Sequence, residues 1–198
     1  MRAQWLQKAG SAELILVFSG WAVGATPFAH LQGAPDVLIL HDYREEDIPQ
    51  GMLAPYARIN LLAYSLGVSV AARHLERLRP HHAVAVCGTP AAPSGIGPDI
   101  YAATLANITP AGLARFARRA GVCLSQAQDL HALRHELELL SARPPSEGSR
   151  YDLVIATTQD RIFTPPAMKS AWQTHEIHWV NSSHNPFPAW HSWAEVFA

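Results

Sequence analysis

The chain has only two cysteines, Cys87 and Cys123, in 198 residues. That leaves no disulfide framework and no paired C-x-x-C metal ligands, and it fits a reducing compartment. Charge is scarce as well: Asp, Glu, Lys and Arg make up 16% of the sequence and nearly cancel, to a net −1. A broad electrostatic surface for nucleic acid is therefore not expected. No segment approaches the ~18 consecutive apolar residues of a membrane span. The first residues, Met1-Arg2-Ala3-Gln4-Trp5-Leu6, lack the apolar run of a secretory signal. A soluble cytoplasmic chain is expected. No strand empties into a glycine-rich phosphate loop, and the chain has no internal repeat. His131 and His135 stand four apart near Glu136 and Glu138, but the zincin order is missing and a solvated helix face is expected. Neither a metal nor a cofactor is called for.

What the chain has in quantity is apolar sequence, 48% of its residues, enough for one domain (1–198) with a substantial core. Short apolar runs alternate with helical patterns. Gln4–Lys8, the turn Ala9-Gly10-Ser11 and Glu13–Ser19 read as strand, turn, strand, a pattern that fits a hairpin. Leu14–Phe18, Asp36–His41, Arg58–Tyr64, Ala83–Cys87, Tyr151–Thr157 and His175–Val180 read as strands, several apolar throughout as in a parallel sheet covered on both faces. Pro90–Pro98 reads as loop. From Ile100 to about Arg143 apolar residues recur at helical spacing, closed by Pro144-Pro145-Ser146-Glu147-Gly148. The expected fold is α/β, a mostly parallel sheet with a helical lid inserted over about 97–148.

The stretch Leu62-Ala63-Tyr64-Ser65-Leu66-Gly67 lies between the strand Arg58–Tyr64 and a helical pattern from Leu66 to Leu78. Small-x-Ser-x-Gly on a strand-to-helix turn is the nucleophile elbow, here with alanine in the first glycine slot. The turn strains the serine backbone, and it needs very small flanking residues because strand and helix crowd them. Ser65 is the candidate nucleophile.

A serine nucleophile needs a base and a group that orients the base. In parallel sheets such groups gather beyond the carboxyl ends of strands. Asp160 follows the strand Leu153-Val154-Ile155-Ala156, and His184 follows Ile177-His178-Trp179-Val180. Asp152 is a rival carboxylate at the wrong end of its strand. His191 is a rival base, expected inside a terminal helix spanning Ala189–Phe197. The oxyanion of acyl transfer needs two N–H donors. Leu66, directly after the serine, supplies one, and Trp21, in the loop after the first buried strand, is placed for the other. Arg115, Arg118 and Arg119 share one face of a lid helix with no acid among them, and Arg134 and Arg143 lie nearby. Such a face suits an acidic partner or a phosphate.

With these residues assembled, the chain resembles the BioG-type pimeloyl-acyl carrier protein methyl ester esterases, compact α/β-hydrolases of biotin synthesis. The resemblance runs nearly the whole length. It is carried by Leu16-Val17-Phe18-Ser19-Gly20-Trp21, His41-Asp42-Tyr43, the Ser65 elbow, Gly88-Thr89-Pro90, Asp160-Arg161-Ile162-Phe163-Thr164-Pro165 and Ser183-His184. It implies Ser65, Asp160 and His184 as a catalytic triad with Trp21 and Leu66 as oxyanion donors. It also implies hydrolysis of the methyl ester of a pimeloyl chain borne by an acidic acyl carrier protein, to the acid and methanol. The arginine face would receive that carrier, and the chain would act as a monomer. Asn181-Ser182-Ser183 stands where the family carries a Gly-Glu pair before the histidine, and the lid is shorter and richer in alanine. A broad short-chain esterase, a thioesterase and a non-catalytic hydrolase-fold binding protein are the alternatives.

Overall fold

The computed structural model describes residues 1–124, 128–146 and 150–198. Its strands are β1 (Arg2–Gln7), β2 (Glu13–Phe18), β3 (Asp36–His41), β4 (Arg58–Tyr64), β5 (His82–Val86), β6 (Leu153–Thr157) and β7 (Ile177–Val180). Its helices run α1 (Gln50–Leu53), α2 (Leu66–Ala72), α3 (Leu75–Leu78), α4 (Ala92–Ile96), α5 (Pro98–Ala106), α6 (Pro110–Ala120), α7 (Leu130–Ala142), α8 (Pro165–Ala171) and α9 (Trp193–Val196). The described strands form one sheet in the order β1-β3-β2-β4-β5-β6-β7, parallel except for β1. The α/β expectation is borne out.

The apolar runs are buried strands because both faces of the sheet are covered. Along β2 the side chains alternate between two cores, Leu14, Leu16 and Phe18 in one and Ile15 and Val17 in the other. Val68 and Val70 of α2, Leu113 of α6, Leu133 and Leu137 of α7 and Met168 of α8 complete the first core. Phe28, Leu31, Phe187 and Trp193 complete the second. Between β5 and β6 the chain makes the excursion α4 to α7, which lies over the carboxyl ends of the strands. Its helices are punctuated locally. Thr109 accepts from the Gly112 N–H at the start of α6, Pro110 follows it, and Gly121 at φ +67° ends the helix. Asp129 caps α7 by accepting from the His131 and Ala132 N–H groups. The expected closing segment of this insert reaches Glu147 and Gly148, which lie outside the described residues.

Four expectations are corrected. β1 and β2 are not a hairpin: β3 lies between them, and β1 pairs antiparallel with β3, Trp5 opposite Leu38. The helix expected over Leu66–Leu78 breaks into α2 and α3 around Arg73 and His74. Pro90–Pro98 contains α4, whose Gly95 packs so closely that a Cβ there would stand 2.1 Å from Thr89 Oγ1. The terminal helix is a 3-10 turn, Phe187–Ala189, followed by the short α9. Ser192 caps α9, accepting from the Glu195 N–H at 3.3 Å, so His191 lies outside the helix and is exposed.

Candidate active site

Ser65 occupies the turn between β4 and α2 at φ 57°, ψ −126°, a region that side chains rarely adopt. Its N–H donates to the Val86 carbonyl at 2.9 Å, fastening the elbow to the next strand. The crowding that the motif anticipates is present. A Cβ on Gly67 would stand 2.2 Å from the Phe18 carbonyl oxygen, and one on Gly88 would stand 2.2 Å from the Ser65 carbonyl oxygen. Ala63 is accommodated, fully buried in the core.

Asp160 follows β6 and turns back on its own backbone. Its Oδ1 accepts from the Ile162 and Phe163 N–H groups at 2.7 and 3.0 Å. That leaves Oδ2 facing His184 Nδ1 at 2.7 Å. The far side of the same ring brings Nε2 to 2.9 Å from Ser65 Oγ. The imidazole is 1% exposed and is held by rings, with Phe163 stacked at 6.0 Å and Tyr64 tilted by 33° against it at 5.2 Å. Three side chains remote in sequence thus meet at one end of the sheet. Asp152 instead accepts from the Ala83 N–H at 2.8 Å at the opposite end of its strand, and His191 is exposed. Cys87 is fully buried at φ +49°, with Sγ, a carboxylate oxygen of Asp160 and a ring nitrogen of His184 all within 4.8 Å of one another. Burial pushes its thiol well above the ordinary range, so it is a protonated packing group there.

The loop after β2 passes close to the serine. A Cβ on Gly20 would stand 3.1 Å from Ser65 Cβ. Among the described residues, neither the Trp21 N–H nor the Leu66 N–H donates to a protein acceptor. The Trp21 indole is 3% exposed, donates from Nε1 to the Leu133 carbonyl at 3.0 Å and meets Phe116 edge-on at 5.0 Å. It borders a cavity of about 300 Å³ that opens from Ser65 and Leu66 toward α5 and α6, walled by Ile100, Leu113, Phe116 and Ile162. That volume lies at the small end of the ~300–1,000 Å³ of ligand pockets, which suits a slender chain.

The arginine face divides. Arg115 and Arg119 line this cavity, whereas Arg118 does not. All three are exposed, and among the described residues none pairs with a carboxylate. Arg134 and Arg143 are engaged elsewhere, Arg134 donating to the Leu105 carbonyl and Arg143 to the carbonyls of Tyr43 and Arg44.

Two residues next to the site escaped sequence reasoning. Glu136, expected on a solvated face with His131 and His135, is 3% exposed and accepts from the Tyr43 N–H at 2.8 Å. Burial lifts its carboxyl to about 7. Asn185, directly after His184, donates from Nδ2 to the Gly121 carbonyl at 3.0 Å, tying the end of α6 to the histidine loop. The place of Glu136 between Leu133 and Leu137 in an apolar stripe was the available signal for the first. None marked the second.

A mostly parallel seven-stranded sheet with a strained serine at a strand-to-helix elbow, in contact with a histidine beyond the last strand, is the architecture of an α/β-hydrolase. Within that class the chain belongs to the family described as pimeloyl-ACP methyl esterase BioG, whose pattern matches residues 1–196. BioG from Haemophilus influenzae superimposes over all of both chains with a TM-score of 0.87 at 26% identity. An uncharacterized protein of Haemophilus influenzae is 30% identical over 93% of this chain and 94% of its own length. A malonyl-[acyl-carrier protein] O-methyltransferase of Bacteroides fragilis is 32% identical over 87% of this chain, which spans only 39% of that protein. No helix among the described residues is long and apolar enough to cross a membrane.

Proposed function

We propose that the chain is a serine esterase that removes the methyl group from a pimeloyl methyl ester carried on acyl carrier protein, a step of biotin synthesis. The observation that carries this reading is the unbroken contact Asp160–His184–Ser65, with Ser65 lining an apolar cavity. The Ser65 hydroxyl donates its proton to His184 Nε2 as Oγ attacks the ester carbonyl, while Asp160 accepts from Nδ1–H and stabilises the imidazolium. The oxyanion that forms is received by the N–H groups of Trp21 and Leu66. His184 then protonates the departing methoxide, leaving an acyl-serine. A water deprotonated by His184 attacks that acyl group and releases the free carboxylate, and Ser65 recovers its proton.

The family supports the substrate, and so does the likeness to the Bacteroides relative, an O-methyltransferase of carrier-bound malonyl. The exposed guanidiniums of Arg115 and Arg119 at the cavity rim support docking of an acidic carrier, so that the chain enters end-first and its thioester stays outside. The α4–α7 excursion acts as the lid that makes this choice. A fluorophosphonate probe should label Ser65 stoichiometrically in folded protein, and prior occupation by substrate should protect it. Labelling elsewhere, or none, would leave a hydrolase-fold binding protein. Equal rates on free and carrier-borne methyl esters would instead point to a broad esterase, and cleavage of the thioester to a thioesterase.

A further inference from the structure

The segment Ser19-Gly20-Trp21 belongs to no helix or strand, yet the reading above asks its backbone to hold an oxyanion donor in place. Such donors act only when they sit about 2.7–3.1 Å from the developing charge. The Ser19 N–H donates to the Leu40 carbonyl at 2.9 Å and its hydroxyl to the Gly24 carbonyl at 2.6 Å, and two further hydrogen bonds of the segment lead to one helix. The Trp21 indole Nε1–H donates to the Leu133 carbonyl of α7 at 3.0 Å. The Tyr43 hydroxyl lies between the Ser19 carbonyl at 2.7 Å and the Leu40 carbonyl at 2.9 Å, drawing the start of the segment toward the end of β3. Tyr43 is in turn held by its own N–H, which donates to Glu136 Oε1 at 2.8 Å. Leu133 and Glu136 are three residues apart and face the same way on α7.

The chemistry of Glu136 makes this arrangement hard to read as packing. A carboxylate that is 3% exposed beside Leu133, Leu137 and Leu140 carries a desolvation cost that a leucine would not. What it provides in return is an acceptor for a fully buried N–H, at a point where the backbone is already strained. Asp42, the residue before, sits at φ +56° and is clamped by Arg44, Nε to Oδ1 at 2.7 Å and Nη2 to Oδ2 at 2.8 Å. Tyr43 is thereby aimed into the core with little freedom, its ring lying parallel to Phe18 at 6.4 Å.

We infer that α7 is the strut that sets the oxyanion loop, with Glu136 and Tyr43 as positioning residues for the Trp21 N–H. Neither touches the cavity beside Ser65. They act through the loop, and the helical excursion contributes to the chemistry itself as well as to substrate entry. This inference rests on the hydrolytic reading, and its test separates the two.

Glu136→Leu removes the acceptor, Glu136→Gln keeps one, and Tyr43→Phe removes only the hydroxyl that joins Ser19 and Leu40. Each is assayed on a small chromogenic ester, with active sites counted by fluorophosphonate titration, and for inhibition by an alkylboronic acid, which forms a tetrahedral anion on a nucleophilic serine. Losing one oxyanion donor outright costs about 10²–10³ in kcat, so displacing one should lower kcat per active site at least ~10-fold in Glu136→Leu and Tyr43→Phe. KM should stay within about two-fold and boronate affinity should fall in parallel with kcat. Glu136→Gln should stay within about three-fold of the parent on both measures. If Glu136→Leu does not fold, Tyr43→Phe carries the test alone. Parent-like boronate affinity and kcat per titrated site in Tyr43→Phe would overturn the inference while leaving the hydrolytic reading intact. A parent protein that neither turns over ester nor binds boronate would overturn both.

Discussion

A methyl group in place of the Gly67 α-hydrogen would stand 2.2 Å from the Phe18 carbonyl oxygen. That oxygen belongs to the strand next to the elbow, and neither it nor the start of α2 is free to retreat. Gly67→Ala should therefore destabilise the fold by about 1–3 kcal/mol or more and abolish turnover. The change on the strand side of Ser65, Ala63→Gly, should cost only about 0.5–1 kcal/mol and keep most activity. Denaturant titration of the pair checks this, and a Gly67→Ala variant as stable as the parent would refute the steric account.

Asp160 accepts from two backbone N–H groups through one oxygen and faces His184 with the other. In Asp160→Asn the turn can persist, but the imidazole loses the partner that fixes its tautomer and stabilises its cation. A loss of roughly 10⁴ in kcat is expected, by analogy with the Ser-His-Asp proteases. Turnover within ten-fold of the parent would show that His184 is oriented by something else.

Glu136 predicts a pH dependence of stability. Its carboxyl is about 7 in the fold against an ordinary 4.5. Below pH 4.5 it is protonated whether folded or not. As pH rises from there to 7 the unfolded chain ionises first, so unfolding becomes easier, by on the order of 3 kcal/mol once pH exceeds 7. Glu136→Gln removes that dependence. Its advantage in denaturation midpoint over the parent should thus grow between pH 5 and pH 8, and a constant difference would contradict the assignment.

Charge reversal of Arg115 and Arg119, which line the cavity, should raise KM for a carrier-borne substrate several-fold and leave KM for a small free ester unchanged. Reversal of Arg118, which does not line it, should have the smaller effect. The difference should shrink with added salt, since exposed charges are screened. Equal effects on both substrates would remove the carrier from the account.

Much of this was legible in the sequence, for physical reasons that differ by element. Runs such as Leu14–Phe18 and Leu61–Tyr64 have to be apolar throughout because both sheet faces are covered, and a strand–serine–helix junction leaves a small-residue signature. Asp160 and His184 could be located because side chains just past strand ends in a parallel sheet converge. The partner of β1 could not be read, because edge pairing depends on which strand lies nearest in space, and Arg2–Gln7 carries no record of β3. The break before α9 was legible in principle: Ser192-Trp193-Ala194-Glu195 is a capping box, overlooked beneath the apolar pattern around it. Glu136 stands in the apolar stripe of Leu133, Leu137 and Leu140, which marks it as buried, but the N–H it satisfies belongs to Tyr43, 93 residues away in the chain, and leaves no local trace.

In the proposed function Ser65 carries the hydrolysis of a carrier-borne methyl ester. Methanol release from pimeloyl-acyl carrier protein methyl ester, followed for the parent and for Ser65→Ala at equal folded concentration, tests it most directly. Steady release by the parent is expected, with the thioester intact, and a rate lower by about 10⁶ in the variant. Release by the variant at a rate near that of the parent would contradict it.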